Sequence, residues 1–174
     1  MKIKKIMVVF LGVATLFLLL GLVAKKNGEV YNTRKKEYST QTVNFKNESS
    51  TDTLNMIKNR KPGIYYFGFK TCPWCVELLP MLEETLIRKK ITAYAIDTKS
   101  EDFLSADDTD LEKDYKEFTH STDTLTVPFI LAIYESGEIK AHKGTVTSHD
   151  ATVAPLNNDQ KKELETILDD IVHK

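Results

Sequence analysis

The chain has 174 residues, with 24 Lys or Arg against 25 Asp or Glu and a formal net charge of −1. That length suits one compact domain plus a short appendage, and two cysteines are too few to build a disulfide scaffold. Charge is split unevenly: residues 1–36 hold eight Lys or Arg and the one acid Glu29, a net +7 that leaves −8 on the rest, a balance that argues against nucleic-acid binding.

The first element is apolar. After a basic tail (1–5) carrying Lys2, Lys4 and Lys5, residues 6–24 run uncharged and rich in Leu, Val, Ile and Phe. At about 1.5 Å per helical residue this nearly spans a bilayer core of roughly 30 Å. A cleavable signal has an apolar region of about 7–15 residues and small residues at its cleavage site. Leu22-Val23-Ala24 supplies one such residue, so the segment reads as an uncleaved transmembrane signal anchor. Counted literally, the charges Lys25, Lys26, Arg34, Lys35 and Lys36 would point the domain inward. A short basic tail before an apolar run is nevertheless how export signals begin, and a lone cysteine pair suits an oxidising compartment. The expected placement is a single-pass cell-membrane protein with its domain outside the cytoplasm. Residues 25–47 are polar and aperiodic, the composition of a flexible tether, and the folded domain is expected over 48–174.

Within that domain, Gly63 to Phe69 is a continuous apolar and aromatic run, the pattern of a buried strand. Cys72-Pro73-Trp74-Cys75 follows, holding both cysteines of the chain, and then Val76, Leu79, Leu82, Leu86 and Ile87 recur at helical spacing. The cysteine pair therefore sits at a strand-to-helix junction. Cys72 would cap the helix and Pro73 would occupy its first position, where a missing N–H costs nothing. The unpaired N–H groups and positive dipole end of the helix favour a thiolate on Cys72, which is the attacking species in disulfide exchange. Cys75, one turn further in, is the resolving thiol. A zinc half-site is the main rival reading, but zinc wants four ligands, and His120, His142, His149 and His173 lack ligand spacing. A purely structural disulfide is the other rival.

Further along, residues 91–97 read as a second strand parallel to the first, joined to it by the intervening helix. Residues 107–120 are acidic, with Leu111, Tyr115 and Phe118 on one helical face. Val127-Pro128 stands before the apolar run 129–134, and a proline is permitted where a strand begins. Ile139 and Ala141 alternate with Lys140 and His142, as on a half-exposed edge strand. Asn157 and Gln160 have capping-box spacing, and Leu164, Ile167, Leu168, Ile171 and Val172 then form one stripe. No phosphate-binding glycine loop or cofactor motif occurs.

In order and spacing these landmarks resemble the thioredoxin-like fold: an α/β domain with a central mixed sheet flanked by helices, here with an N-terminal transmembrane helix. Pro80 matches the family's helix-kinking proline, Val127-Pro128 its cis-proline loop, Glu135 to Glu138 its hairpin turn, and Gly144 the glycine ending the last strand. The resemblance implies a redox-active Cys72–Cys75 disulfide, substrate contacts from Pro73, Trp74, Val127 and Pro128, and a cis Pro128. Three departures stand out. Tyr66 occupies the position of the family's buried acid, Thr71 replaces an aromatic residue, and the stretch before Pro128 is longer than a minimal domain requires. Anchor, tether and domain together resemble the extracytoplasmic accessory proteins of bacteriocin transport in Gram-positive bacteria. That likeness implies a thiol–disulfide oxidoreductase working on exported cysteine-containing proteins or peptides with a redox partner protein. The competing reading is a thioredoxin-fold adaptor of a secretion system in which the cysteines are dispensable.

Overall fold

The computed structural model describes residues 38–103 and 105–173. The expected tail and anchor, and the tether up to residue 37, lie outside the described residues. Among the described residues no helix is long and apolar enough to cross a membrane.

The central strand is apolar on both sides because both sides are covered. Strand β2 (Gly63–Gly68) pairs in parallel with β3 (Ala93–Asp97) and antiparallel with β4 (Phe129–Ile133). Outside these lie a two-residue strand β1 (Phe45–Lys46), parallel to β3, and β5 (Ile139–Lys143), antiparallel to β4. The sheet order is therefore β1-β3-β2-β4-β5. Alternation along β2 sends Ile64 and Tyr66 to one face, and Tyr65 and Phe67 to the other.

The first face is covered by α2 (Pro73–Lys89) and α4 (Asn158–Ile171), which bring Leu78, Leu82, Leu86, Leu164 and Leu168 to full burial. On the second face α1 (Ser50–Lys58) contributes Leu54 and Ile57, while α3 (Ser105–Thr119) contributes Leu111 and Tyr115. Helices on both sides of a mixed sheet, with the βαβ unit β2-α2-β3 at its centre, match a thioredoxin-like fold.

The boundary expected at residue 48 is corrected. Phe45 and Lys46 belong to the sheet, and Tyr38 packs against the first core, so structure begins earlier than composition implies. A two-residue edge strand is too short to show any periodicity. Helix α1 is likewise faint in sequence: its nine residues offer only Leu54, Met56 and Ile57 as apolar anchors. It is held at its start by Ser49, whose hydroxyl accepts the Asp52 N–H. The strand expected from residue 91 begins at Ala93, and Lys90 ends α2 with φ 56°, in the left-handed region. The capping box at Asn157 and Gln160 is formed as its spacing predicts. The hairpin between β4 and β5 turns at Gly137, whose φ of 85° suits glycine.

Candidate active site

Strand β2 ends at Gly68, and three residues later Cys72 caps α2 with an extended φ and ψ of −81° and 116°. Pro73 is the first helical residue, and the Cys75 N–H donates to Cys72 Sγ at 3.2 Å. Cys72 and Cys75 are joined as a disulfide with their Cα atoms 5.2 Å apart. The first turn of α2 contains no acidic residue to offset its positive end. Glu77, the nearest acid on this helix, accepts the Leu156 N–H at 3.3 Å and so is held toward the loop before α4. Cys75 is fully buried, whereas Cys72 keeps 5% exposure, and that residue of access is on the groove side.

The Val127–Pro128 peptide is cis. The Val127 carbonyl lies 3.8 Å from Cys72 Sγ, and the buried Pro128 carbonyl accepts the Gly144 N–H at 2.8 Å. Gly144 itself has φ 74°. The structure thus gathers the sequence-predicted residues Cys72, Pro73, Trp74, Cys75, Val127 and Pro128 around one sulfur pair.

Beside Cys72 opens a groove of about 700 Å³. Its lining includes Phe69, Trp74, Phe103, Leu111, Leu125 and Val127. The 98–103 segment carries no sequence signal of a site: it reaches the groove because β3 lies next to β2. Lys99 stands over the Phe69 ring, 5.6 Å from its centroid. Asp102 ties this segment to α1 by accepting from the Ser50 N–H and hydroxyl.

Trp74 is half-buried and does two things. It lines the groove, and its indole N–H donates to the His149 carbonyl at 3.4 Å. His149 is itself pinned, with Nε2 at 2.9 Å from the Ala154 carbonyl and Nδ1 at 2.7 Å from the Thr145 hydroxyl. A carbonyl only accepts, so Nε2 carries the proton and Nδ1 accepts from Thr145. His142, in β5 just before that loop, donates its Nε2–H to the Thr145 carbonyl at 2.7 Å, and burial lowers its pKa. These histidines brace the loop that holds Trp74. Among the described residues no three His, Cys, Asp or Glu side chains gather into a metal site.

Behind the disulfide, Tyr66 is fully buried. Burial pushes its hydroxyl well above the usual phenol range, and Tyr38 and Asp97 add to the same direction. Tyr38 is raised to about 12, again chiefly by burial. The two hydroxyls are near enough to influence each other's ionisation, yet among the described residues neither has a partner at hydrogen-bond geometry.

Comparison with known proteins adds little. No family model matches the chain, and no curated protein matches it. Among solved structures, the crystal structure of chloroplastic thioredoxin z is similar over 74% of this chain and 97% of that one, at 15% identity and a TM-score of 0.38. So distant a likeness carries no functional weight; the strand order and the cysteine-capped helix define the fold class by themselves.

Proposed function

We propose that the chain is a thiol–disulfide oxidoreductase acting on exported cysteine-containing proteins or peptides. The observation that carries this reading is Cys72 at the cap of α2, its sulfur accepting the Cys75 N–H, bordering an open groove. In the reducing direction, the Cys72 thiolate attacks one sulfur of a substrate disulfide, and the other substrate sulfur leaves as a thiolate. Cys75 then attacks Cys72 Sγ in the mixed disulfide, closes the 72–75 bond and releases the second substrate thiol. In the oxidising direction the same steps run backwards, and the substrate dithiol gives up two electrons to the pair. The helix N-terminus stabilises negative charge on Cys72 in both directions. Pro73, Trp74, Val127 and Pro128 border the arriving chain.

Location outside the cytoplasm, held by a membrane anchor over 6–24, is part of the same proposal and rests on the sequence pattern of that segment. A role as a bacteriocin transport accessory factor, served by a redox partner protein, extends it to one class of exported peptide.

A second reading, a redox-silent adaptor, draws on the near-complete burial of both sulfurs. One experiment separates the two. The Cys75→Ala chain should accumulate substrates as mixed disulfides on Cys72, visible on non-reducing gels and absent from the double Cys variant. A Cys72→Ala chain that still yields correctly bridged exported product would exclude the oxidoreductase and favour the adaptor.

A further inference from the structure

Gly68 is the point where the redox pair meets the core. A side chain placed there would collide with the Tyr66 hydroxyl and would stand only 3.1 Å from Cys75 Sγ. The phenolic oxygen and the resolving sulfur therefore border the same small space, which glycine leaves open. Both groups are fully buried, so no bulk water reaches them. The Tyr66 hydroxyl has no hydrogen-bond partner among the described residues while the disulfide is closed. The closed pair offers that donor at best a weak sulfur acceptor. An unpaired buried donor is costly, and the cost disappears once an acceptor is supplied beside it.

From this juxtaposition we infer that Tyr66 is a positioning residue of the redox pair, donating its O–H to Cys75 when the 72–75 bond opens and thereby favouring the reduced form. Reduction turns Cys75 Sγ into a thiol or thiolate, and hydrogen bonds to an ionised acceptor are the strong ones. The thiolate is otherwise disfavoured in so apolar a place. The closed pair leaves the hydroxyl unsatisfied, while the open pair satisfies it. Both effects move the equilibrium the same way, making the disulfide more oxidising than the Pro73-Trp74 motif alone would. Tyr38 is the competing partner for the Tyr66 hydroxyl. The inference rests on the oxidoreductase reading only in needing a pair that opens and closes.

The test is equilibration of the full-length protein with glutathione. Dithiol protein and one glutathione disulfide give the 72–75 disulfide and two glutathione thiols; two electrons pass to glutathione, and the two protein protons leave on its sulfurs. Tyr66→Phe keeps the ring and removes only the oxygen. It should shift this constant about tenfold toward the protein disulfide, equivalent to a potential about 30 mV lower for a two-electron couple. In a Cys72→Ala background, Tyr66→Phe should also raise the pKa of Cys75 read from thiolate absorbance, a change that looser packing alone would not give. A constant unchanged within twofold, or displaced toward the dithiol, would overturn the inference. Should Tyr66→Phe fail to fold, the Raman doublet of the tyrosines in the unsubstituted chain decides: one tyrosine must become a stronger donor on reduction, and an invariant doublet counts against it. Loss of substrate trapping with the tenfold shift intact sinks the oxidoreductase proposal alone. Trapping intact with an unmoved constant sinks only the role of Tyr66, and a pair that no reductant opens removes both.

Discussion

On one face of the sheet, α2 and α4 press leucines against Ile64, Tyr66 and Ile130 with almost no exposure anywhere. On the other, α1 and α3 cover Tyr65, Phe67 and Phe129 but leave the groove beside Cys72 open. The first face packs behind the cysteine pair, and the second borders the groove. Their helices differ accordingly. Helix α2 carries leucines from Leu78 to Leu86, and α4 is clamped to it by Arg88 and Lys89, both reaching Asp169. Helix α3 is mainly acidic and holds on through Leu111 and Tyr115, the latter set edge-on to Phe129 at 5.4 Å. Its own charges work against it: partial burial raises the Asp114 pKa, and Glu117 and Asp110 push it the same way. The back is therefore the more firmly packed side of the sheet and the front the more weakly held one.

The largest expected effect concerns the chemistry shared by both faces. Cys72→Ala should reduce disulfide exchange to the uncatalysed background, measured with a small disulfide substrate, and loss of the sulfur cap should lower the stability of the reduced protein by no more than about 0.5–2 kcal/mol.

Next comes a matched pair of truncations. Leu82→Ala, deep under α2, should cost about 3–5 kcal/mol in urea unfolding, because its surroundings cannot collapse into the cavity. Leu111→Ala should cost nearer about 2 kcal/mol, since it borders open space, yet it should weaken substrate trapping where Leu82→Ala does not. Equal stability losses with no difference in trapping would erase the distinction between the faces.

Trp74→Phe tests the seam between them. It removes the indole N–H that reaches the His149 carbonyl and should lower stability by about 0.5–1.5 kcal/mol. Faster amide exchange over residues 145–154 should accompany that loss, with α2 unaffected.

The smallest effect belongs to Asp114. Its pKa is raised in the fold, so the native chain binds protons more readily than the unfolded one, and ionisation opposes folding. Stability from this group should therefore increase as pH falls toward the unfolded carboxylate value of about 3.9. Asp114→Asn should stabilise the chain by a few tenths of a kcal/mol at neutral pH, after discounting for solvent screening. That gain should fade in acid, as followed by melting temperature across pH.

Much of the site is readable from residue order because its parts are local. A cysteine, a proline and the start of an apolar helical stripe within five positions define the cap of α2, and β2 announces itself by an unbroken apolar run. The Asn157–Gln160 box is equally local. Groups that meet through the sheet are a different matter. Nothing near residues 98–103 indicates that they wall a groove beside Cys72, since that depends on β3 lying next to β2. His149 looks isolated in sequence and proves to be the post on which Trp74 leans.

Tyr66 shows both sides of this. Its place two residues before Gly68, in a strand running into the cysteine pair, is written in the chain, as is the absence of an acid there. That its hydroxyl would be left without a partner among the described residues, beside the resolving sulfur where glycine leaves space, follows only from packing α2 onto β2. Short-range order determined which sulfur caps the helix, because a cap and its first turn are neighbours along the backbone. Long-range packing decided what surrounds that sulfur, because burial and unmet hydrogen bonds depend on elements brought together from distant parts of the chain.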